Sequence, residues 1–419
     1  MSGRYPTGGQ TLVRQMNLST VLRYLHHGGP LSRAGLAQLT GLNKTTVSSL
    51  VEELLDRALL RERGLEPSSG GRPAMLLELN PDAGCVVGVA LGVDFVSAVL
   101  CDVAGHIRWR RLQRTDPLQG QEAMIERTLR IVDEAAEAAV SCGVRLLGLG
   151  LATPGTVNLQ SGVLIFSPNL QWHNVPLRTI FEEHTRLPVF VDNDANAAAV
   201  AEHLFGVAQQ ARDFLSIFSG VGVGGGLFLN GQLYRGAHGF AGEIGHTNFM
   251  VEHYRRPCRC GNRGCWETSV AQDAVLERIR TRLAARRDSV IPQLLAELGS
   301  PLSLSVVIQA ADAHDAEAIE ALTETGSLMG LGVANLMSIF NPEMIVIGGP
   351  LSEAAEYLLP AIKEAARKTV LPEIYQDVQL LVSAFGRDAS VVGAAALVVE
   401  ALLSNPTRVK RLSTQSRGE

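Results

Sequence analysis

The sequence contains no uncharged apolar run of about 18 residues, so it lacks the usual signature of a membrane-spanning helix. The nearest candidate, Cys85 to Cys101, contains Asp94 and several small residues, which favours a buried strand. The first ten residues, MSGRYPTGGQ, have no apolar core after their arginine and do not predict a signal peptide. These absences predict a cytoplasmic protein.

Cysteine is also scarce, with 6 in 419 residues. Disulfides do not persist in a reducing compartment, so a disulfide framework is not expected. Half of the cysteines nevertheless fall in one short segment, CRCGNRGC, as Cys258, Cys260 and Cys265. This cluster therefore needs an explanation other than a disulfide.

The net charge of −5 is unevenly distributed. Residues 1–80 hold nine lysines or arginines against six acidic residues, whereas the remainder holds 28 against 36. A basic N-terminal module on an acidic body indicates that one part of the chain meets a polyanion. The length and the 46% hydrophobic content predict more than one core.

The N-terminal module has the pattern of a helix-turn-helix between residues 11 and 80, after a flexible segment at 1–10. Helical periodicity from Thr11 stops at Gly28-Gly29-Pro30, Ser32 can cap a second short helix, and Asn43 can cap a third. Two strands, LLRERG and AMLLELN, flank the loop EPSSGGRP in the layout of a wing. We therefore predict a mainly α winged helix-turn-helix.

A third helix in the major groove would present its polar residues to bases and phosphates. These residues are Lys44, Thr45, Thr46, Ser48 and Ser49. Arg72, in the wing loop, suits a narrow minor groove. The alternative is a small helical interaction domain with solvated polar residues, but the helix order, the wing and the basic excess together favour DNA.

From Cys85 onwards, apolar strand runs alternate with helical segments, which is the pattern of an α/β domain. Glycine-rich turns follow several strands, at Gly220–Gly226 and at Gly348-Gly349. Such turns either cradle phosphates or only permit tight packing, so they are a weak signal by themselves.

Several motifs in order resemble the ROK family (repressors, open reading frames and sugar kinases), and in particular its DNA-binding branch of xylose- and N-acetylglucosamine-responsive repressors. The motifs are TPG (153–155), SPNLQW (167–172), DNDANAAAVAE (192–202), GVGVGGGLFLNGQLYRGAHGFAGEIGH (220–246), CRCGNRGCWE (258–267) and NPEMIVIGG (341–349). The resemblance covers residues 11–403. It implies a ribonuclease H-like, actin-like sugar-kinase fold over residues 81–403, a sugar in the cleft, a structural zinc, and dimers or tetramers.

Within that fold, the resemblance places lobe one at about 81–194 with 388–403, and lobe two at about 195–387. Residues 404–419 are polar and lack apolar periodicity, so they predict a flexible tail.

The spacing His-x11-Cys-x-Cys-x4-Cys, from His246 to Cys265, offers one imidazole and three thiolates, enough to close a tetrahedral zinc site. The ligands would be His246, Cys258, Cys260 and Cys265. His253 is a rival nitrogen ligand that spacing alone does not exclude, although the family pattern favours His246. Three free buried thiols are the alternative.

By resemblance, a neutral sugar would be contacted by six polar side chains: Asn169, Asn193, Asp194, Glu243, His246 and Glu267. Paired carboxylates accept hydrogen bonds from hydroxyl groups strongly, which suits such a ligand. The alternative is that the two glutamates pair with arginines of the cysteine loop, namely Arg255, Arg256, Arg259 or Arg263.

Asp194 occupies the position of the family's general base, which permits a kinase. The first phosphate loop argues against one, because the Asp-x-Gly-Gly-Thr turn of sugar kinases is replaced by Ala90-Leu91-Gly92-Val93-Asp94. A carboxylate facing phosphates repels them, so ATP and Mg²⁺ are not expected.

The sequence therefore predicts a sugar-responsive repressor of carbohydrate uptake or catabolism genes, in which sugar binding changes dimer geometry and operator affinity. Two alternatives remain open. One is an active ATP-dependent sugar kinase with an attached DNA-binding module. The other is a regulator whose effector is a phosphotransfer protein.

Overall fold

The computed structural model describes residues 9–65, 74–248, 256–285 and 288–409. The N-terminal unit consists of three helices and a three-stranded sheet: α1 (Gln10–Gly28), β1 (Leu31–Ser32), α2 (Arg33–Thr40), α3 (Lys44–Asp56), β2 (Leu60–Leu65) and β3 (Met75–Leu79). The sheet has the order β1-β3-β2. The predicted caps are present, since the Ser32 side chain accepts from Gly35 N and the Asn43 side chain accepts from Thr46 N.

A compact apolar core joins the three helices to the sheet. It contains Leu18 and Val21 of α1, Leu36 of α2 and Val47 of α3, each 0% exposed. The antiparallel pair β2–β3 forms the stem of the predicted wing, and the tip of the wing at 66–73 lies outside the described residues. This unit begins at Gln10, so the helix starts inside the segment predicted to be flexible.

The first α/β lobe follows directly. Its elements are β4 (Cys85–Leu91), β5 (Phe95–Asp102), β6 (Ile107–Arg114), α4 (Gly120–Ser141), β7 (Leu146–Thr153), β8 (Thr156–Asn158), β9 (Val163–Ser167), β10 (Trp172–Val175), α5 (Leu177–Thr185) and β11 (Val189–Asn193). The main sheet has the order β11-β7-β4-β5-β6, and β8 to β10 form a small separate sheet. The apolar strands β4 and β5 are buried along almost their whole length, which agrees with their near-continuous apolar sequences.

The second lobe begins after α6 (Asp194–Leu204). Its elements are β12 (Phe214–Ser219), β13 (Val223–Leu229), β14 (Gln232–Leu233), α7 (Glu267–Val270), α8 (Gln272–Ala285), α9 (Ile291–Leu298), α10 (Leu304–Asp312), α11 (Ala316–Phe340), β15 (Met344–Gly348), α12 (Ala355–Thr369), α13 (Pro372–Asp377) and β16 (Gln379–Val382). The chain then returns to lobe one through α14 (Ala389–Ser404).

The two lobes share one strand order. Lobe one, taken from the other edge, runs β6-β5-β4-β7-β11, and lobe two runs β14-β13-β12-β15-β16. In each sheet the central strand, β4 or β12, pairs antiparallel with the next strand along the chain, β5 or β13, and parallel with its other neighbour, β7 or β15. Such a repeated sheet is the expected core of a two-lobed actin-like fold.

Helices α6 and α14 pack against each other between the two sheets. Glycine makes this close approach feasible, because a Cβ at Gly393 would lie 2.1 Å from the Ala197 carbonyl oxygen, and one at Gly150 of β7 would lie 1.7 Å from the Ala394 oxygen. No larger residue fits at either position without moving backbone. The helix pair and the sheets are therefore tightly joined.

The far ends of α6 and α14 contact α1 of the N-terminal unit. His26 Nε2 lies 3.0 Å from the Leu204 carbonyl oxygen at the end of α6, and Arg23 forms an ion pair with Glu400 of α14. Through these contacts the first helix of the N-terminal unit rests on the same two helices that lie between the lobes.

Residues 404–409 differ from the tail predicted by the sequence. Ser404 ends α14, a single 3-10 turn follows at Pro406–Arg408, and Val409 is 4% exposed. Gln15 donates to both Asn405 and Thr407, and Arg57 donates to the Val409 carbonyl. The polar composition thus reflects a docking segment for α1 and α3, while residues 410–419 lie outside the described part of the chain.

Within the described ranges, no helix has both the length and the apolar character needed to cross a bilayer.

Candidate functional site

A cleft of about 540 Å³ lies between the two lobes. This volume is typical of sites for small molecules. The six side chains predicted to contact a sugar all line it: Asn169, Asn193, Asp194, Glu243, His246 and Glu267. These side chains come from segments up to about a hundred residues apart in the sequence, and the fold places them in one cleft.

The start of α6 forms the floor of the cleft. Asn193 caps the helix, because its side chain accepts from Ala195 N and Asn196 N and donates to the Gly155 carbonyl. Asp194 follows as the first residue of the helix, and burial, with help from Glu243, raises its pKa to about 6. Asn193 is therefore largely committed to positioning Asp194, whereas Asp194 offers a carboxylate that holds a proton at mildly acid pH.

Glu243 and Glu267 approach the cleft on either side of His246. The ring atoms Nε2 and Nδ1 of His246 lie 3.9 Å from a Glu243 oxygen and 3.7 Å from a Glu267 oxygen, respectively. Burial raises the pKa of Glu243, and the neighbouring His246 opposes this effect. Glu267 also accepts from Val223 N at 3.2 Å, so its position is tied to a strand of lobe two.

The predicted metal ligands converge beside these carboxylates. One ligand atom from each of His246, Cys258, Cys260 and Cys265 lies within 4.8 Å of all the others. The Cys258 Sγ to His246 Nδ1 distance and the Cys260 Sγ to Cys265 Sγ distance are both 3.7 Å. A tetrahedral zinc site with ordinary bond lengths has edges of about 3.5–3.8 Å, so the donor set and these two distances fit zinc.

Burial raises the pKa of the Cys258 thiol, and it raises the pKa of Cys265 to about 11. Thiols in such surroundings keep their protons unless a cation replaces them. The nitrogen rival His253 lies outside the described residues.

Arg259 lies in the cysteine loop, and sequence reasoning named it only as one of four alternative partners for Glu243 and Glu267. It instead donates to Asn169 Oδ1 at 3.1 Å and pairs with Asp273 at 2.9 Å. It thereby connects the cysteine loop to the SPNLQW segment of lobe one. Its position between Cys258 and Cys260 was the available signal, because a residue between two ligands is fixed by them.

The opposite end of the cleft contains the segment aligned with a phosphate loop. Ala90 is 2% exposed at the end of β4, Gly92 N donates to the Phe95 carbonyl in a tight connection, and Asp94 is exposed at the cleft. The cleft's Arg387 is already paired with Glu353. Asp94 has no ion-pair partner within the described ranges, and Arg114, opposite Phe95 in the sheet, also lines the cleft.

The glycine-rich segment 220–226 serves packing in part. A Cβ at Gly226 would lie 2.3 Å from the Ala199 side chain, and one at Gly224 would lie 2.7 Å from that of Ala195, both on α6. These short distances support the interpretation that Gly224 and Gly226 allow β13 to pack closely against α6. Gly220 and Gly222 line the cleft.

The residues predicted to contact DNA lie on one side of α3. Lys44, Thr45 and Ser49 are exposed, and Thr46 and Ser48 are partly exposed, while the apolar face of α3 is buried. Arg14 donates to Ser49 Oγ at 3.3 Å. Arg72 lies outside the described residues, so its placement stays a prediction.

Family models match both the N-terminal unit and the α/β domain. The model of the ROK family matches residues 86–401, and that of the MarR family matches residues 19–70. The chain belongs to the ROK family. The predicted fold class, a winged helix-turn-helix followed by a sugar-kinase-like α/β domain, is confirmed.

Relatives match nearly the whole length of this ROK protein. It is 34% identical to a xylose repressor of Caldicellulosiruptor bescii over 95% of this chain and 99% of that protein. It is 29% identical to the DNA-binding transcriptional repressor Mlc of Escherichia coli, over 96% and 97% of the two chains.

Two solved structures are similar to all or part of this architecture. A ROK family transcriptional regulator described as a homologue of the E. coli Mlc protein matches with a TM-score of 0.80 and 29% identity, over 95% of this chain and 99% of that one. A ROK family glucokinase from Streptomyces griseus, solved with glucose and AMPPNP, matches with a TM-score of 0.68 and 31% identity over 75% and 99%.

Proposed function

We propose that this protein is a sugar-responsive transcriptional repressor that binds operator DNA through its N-terminal unit. The observation that carries the proposal is the direct contact of α1 with the ends of α6 and α14, whose other ends lie at the cleft. Full-length similarity to xylose repressors and to Mlc supports the same role.

The ligand proposed for the cleft is a neutral sugar. Asp194, Glu243 and Glu267 supply carboxylate oxygens that accept hydrogen bonds from hydroxyl groups, and Asn169 supplies an amide. The Nδ1 atom of His246 faces the cysteines, while its Nε2 atom faces Glu243. His246 can therefore bind a metal and orient a carboxylate at the same time.

The metal proposed for the cluster is a structural zinc ion held by His246, Cys258, Cys260 and Cys265. Four protein ligands leave no open position, so the ion would stabilise the loop and take no part in chemistry. Its function would be to hold Glu243, Glu267 and Arg259 in place around the sugar.

The conformational effect of sugar binding would be transmitted to the N-terminal unit through α6 and α14. The sugar must bind better to the conformation with low operator affinity, since equal affinity for both conformations would shift nothing. In a dimer, a small change in the angle of α1 would move two recognition helices out of register with half-sites about one helical turn apart.

Kinase activity is the second candidate, favoured by Asp194 at the general-base position and by the fold shared with a glucokinase. We propose that it is absent, because Ala90 cannot hold a metal–nucleotide and Asp94 would repel phosphates.

The proposal is tested by gel shift with genomic fragments, with and without a panel of hexoses and pentoses, at a fixed salt concentration. A sugar that changes operator affinity at least about tenfold supports it. Indifference to every sugar would favour a phosphotransfer protein as effector, and hexose-dependent ATP turnover at ordinary kinase rates would favour the kinase.

A further inference from the structure

A second cavity, of about 810 Å³, lies where α1 meets the two lobes, and we call it the seam cavity. Its walls include Arg23 and His27 of α1, Arg178 of α5, His203 of α6 and Arg235 after β14. Among the described residues, none lines both this cavity and the cleft. A ligand here would touch the N-terminal unit and the α/β domain at once.

Three buried polar atoms at the seam cavity have no hydrogen-bond partner among the described residues. They are His27 Nδ1, His203 Nδ1 and Arg235 Nε. The rings of His27 and His203 face one another with centroids 5.7 Å apart. Buried polar atoms are nearly always satisfied in folded proteins, so three orphans around one cavity indicate a missing partner.

The charge of the seam cavity is positive. Arg23 pairs with Glu400 and Arg235 pairs with Asp192, and these are the two carboxylates in the lining. Arg178, the third arginine, directs three of its N–H groups to backbone carbonyls and has no carboxylate partner among the described residues. Its positive charge and two of its five N–H groups remain for a ligand.

The two histidines add no charge to the seam cavity at neutral pH, and one of them adds a donor. Burial lowers the pKa of both His27 and His203, and the positive charge of Arg23 lowers that of His27 further. A neutral imidazole carries one N–H; that of His203 is directed to the Ala208 backbone, so His27 is the ring that can donate to a ligand oxygen.

We propose that the seam cavity is a binding site for a small organic phosphate, separate from the effector cleft. The donors that remain are two N–H groups of Arg178, the Nε–H of Arg235 and one N–H of His27, enough to supply each of the three terminal oxygens of a phosphate monoester with at least one hydrogen bond. The cavity is larger than a phosphate ion, and Phe190 and Phe228 in its lining provide apolar surface for an organic group.

The test is calorimetric titration of the full chain with inorganic phosphate at constant ionic strength. One phosphate per chain is expected, and Arg178→Gln should weaken its binding roughly tenfold through loss of a charge-assisted contact. The matched control is Arg130→Gln, an exposed arginine on α4, which should leave it unchanged. Undiminished binding by the Arg178 variant would overturn the proposal.

A second variant covers the case in which loss of the carbonyl bonds of Arg178 disturbs the local fold. His27→Phe keeps a ring against His203, removes both nitrogens and leaves those bonds intact; it should weaken phosphate binding several-fold. Arg387→Gln, in the cleft, should have no effect, and its loss of phosphate binding would place the ion in the cleft instead. Acetate binding as tight as phosphate would contradict the phosphate assignment.

Discussion

The two ends of the effector cleft differ sharply in what they offer a ligand. At one end Asp194, Glu243 and Glu267 line the cleft near the cluster of His246 and three cysteines, whereas at the other end Ala90 and Asp94 occupy positions where a kinase would hold metal and phosphate. Sugar recognition and phosphate binding are therefore separable in this fold, because each depends on its own set of side chains. A regulator needs only the first set.

Removal of one predicted metal ligand should have the largest effect on the sugar-binding end of the cleft. Cys260→Ser should lower zinc affinity by about 100-fold or more and abolish sugar binding, since the cluster positions both glutamates. Metal analysis and sugar calorimetry measure the two effects. Cys142→Ser, at an exposed cysteine outside the cluster, is the control, and intact sugar binding in zinc-free Cys260→Ser protein would show that the metal does not support the cleft.

Neutralising one carboxylate of the cleft should have the second largest effect on sugar binding. Glu267→Gln should weaken sugar binding by about 1.5–3 kcal/mol, the range for hydrogen bonds to a charged group, while metal content is retained. Calorimetry with the identified sugar gives the value. The exposed Glu297→Gln on α9 should match the parent protein. Unchanged affinity in Glu267→Gln would favour a purely structural carboxylate.

Asp194 predicts a pH-dependent change in stability. Its pKa is raised in the folded state, so the folded protein binds the proton more tightly than the unfolded chain and loses stability as pH rises from about 4 through 6. Asp194→Asn should therefore be more stable than the parent by about 3 kcal/mol at pH 7.5 and nearly equal to it near pH 4. Urea unfolding at both pH values tests this, with exposed Asp56→Asn as the control; a constant difference would contradict the assignment.

Restoring the phosphate loop tests the other end of the cleft. The triple variant Ala90→Asp, Val93→Gly and Asp94→Thr should bind ATP–Mg²⁺ about tenfold more tightly than the parent, because one repulsive charge is removed and a metal-binding acid is added. Fluorescent nucleotide titration measures the gain. Tight nucleotide binding by the parent protein would show that this end is intact.

The smallest expected effect concerns DNA. Lys44→Ala should reduce operator affinity several-fold and lower the slope of log affinity against log salt by about 1, because one phosphate contact is lost. Lys363→Ala, at an exposed lysine on α12, should leave the slope unchanged.

Arg72→Ala, in the predicted wing, should weaken operator binding without altering sugar affinity. Equal losses of operator affinity and sugar affinity would refute the wing assignment.

Sequence reasoning predicted the features encoded by short-range patterns. The helix caps at Ser32 and Asn43 and the clustering of Cys258 with Cys265 depend on neighbours a few residues apart, so spacing reveals them. The contact of Arg23 with Glu400 is separated by 377 residues, and no periodicity encodes it. The docking of residues 404–409 was missed for the same reason, since polar residues that bond to a distant helix resemble a solvated tail.

The eleven residues of α6 have a consequence for attempts to exchange parts between related regulators. One end of the helix presents Asp194 to the cleft, and the other presents the Leu204 carbonyl to His26. Inserting a single residue between them would turn one end by about 100° against the other and lengthen the helix by about 1.5 Å. A chimera that joins this N-terminal unit to a foreign effector domain must therefore preserve both the length and the phase of this helix.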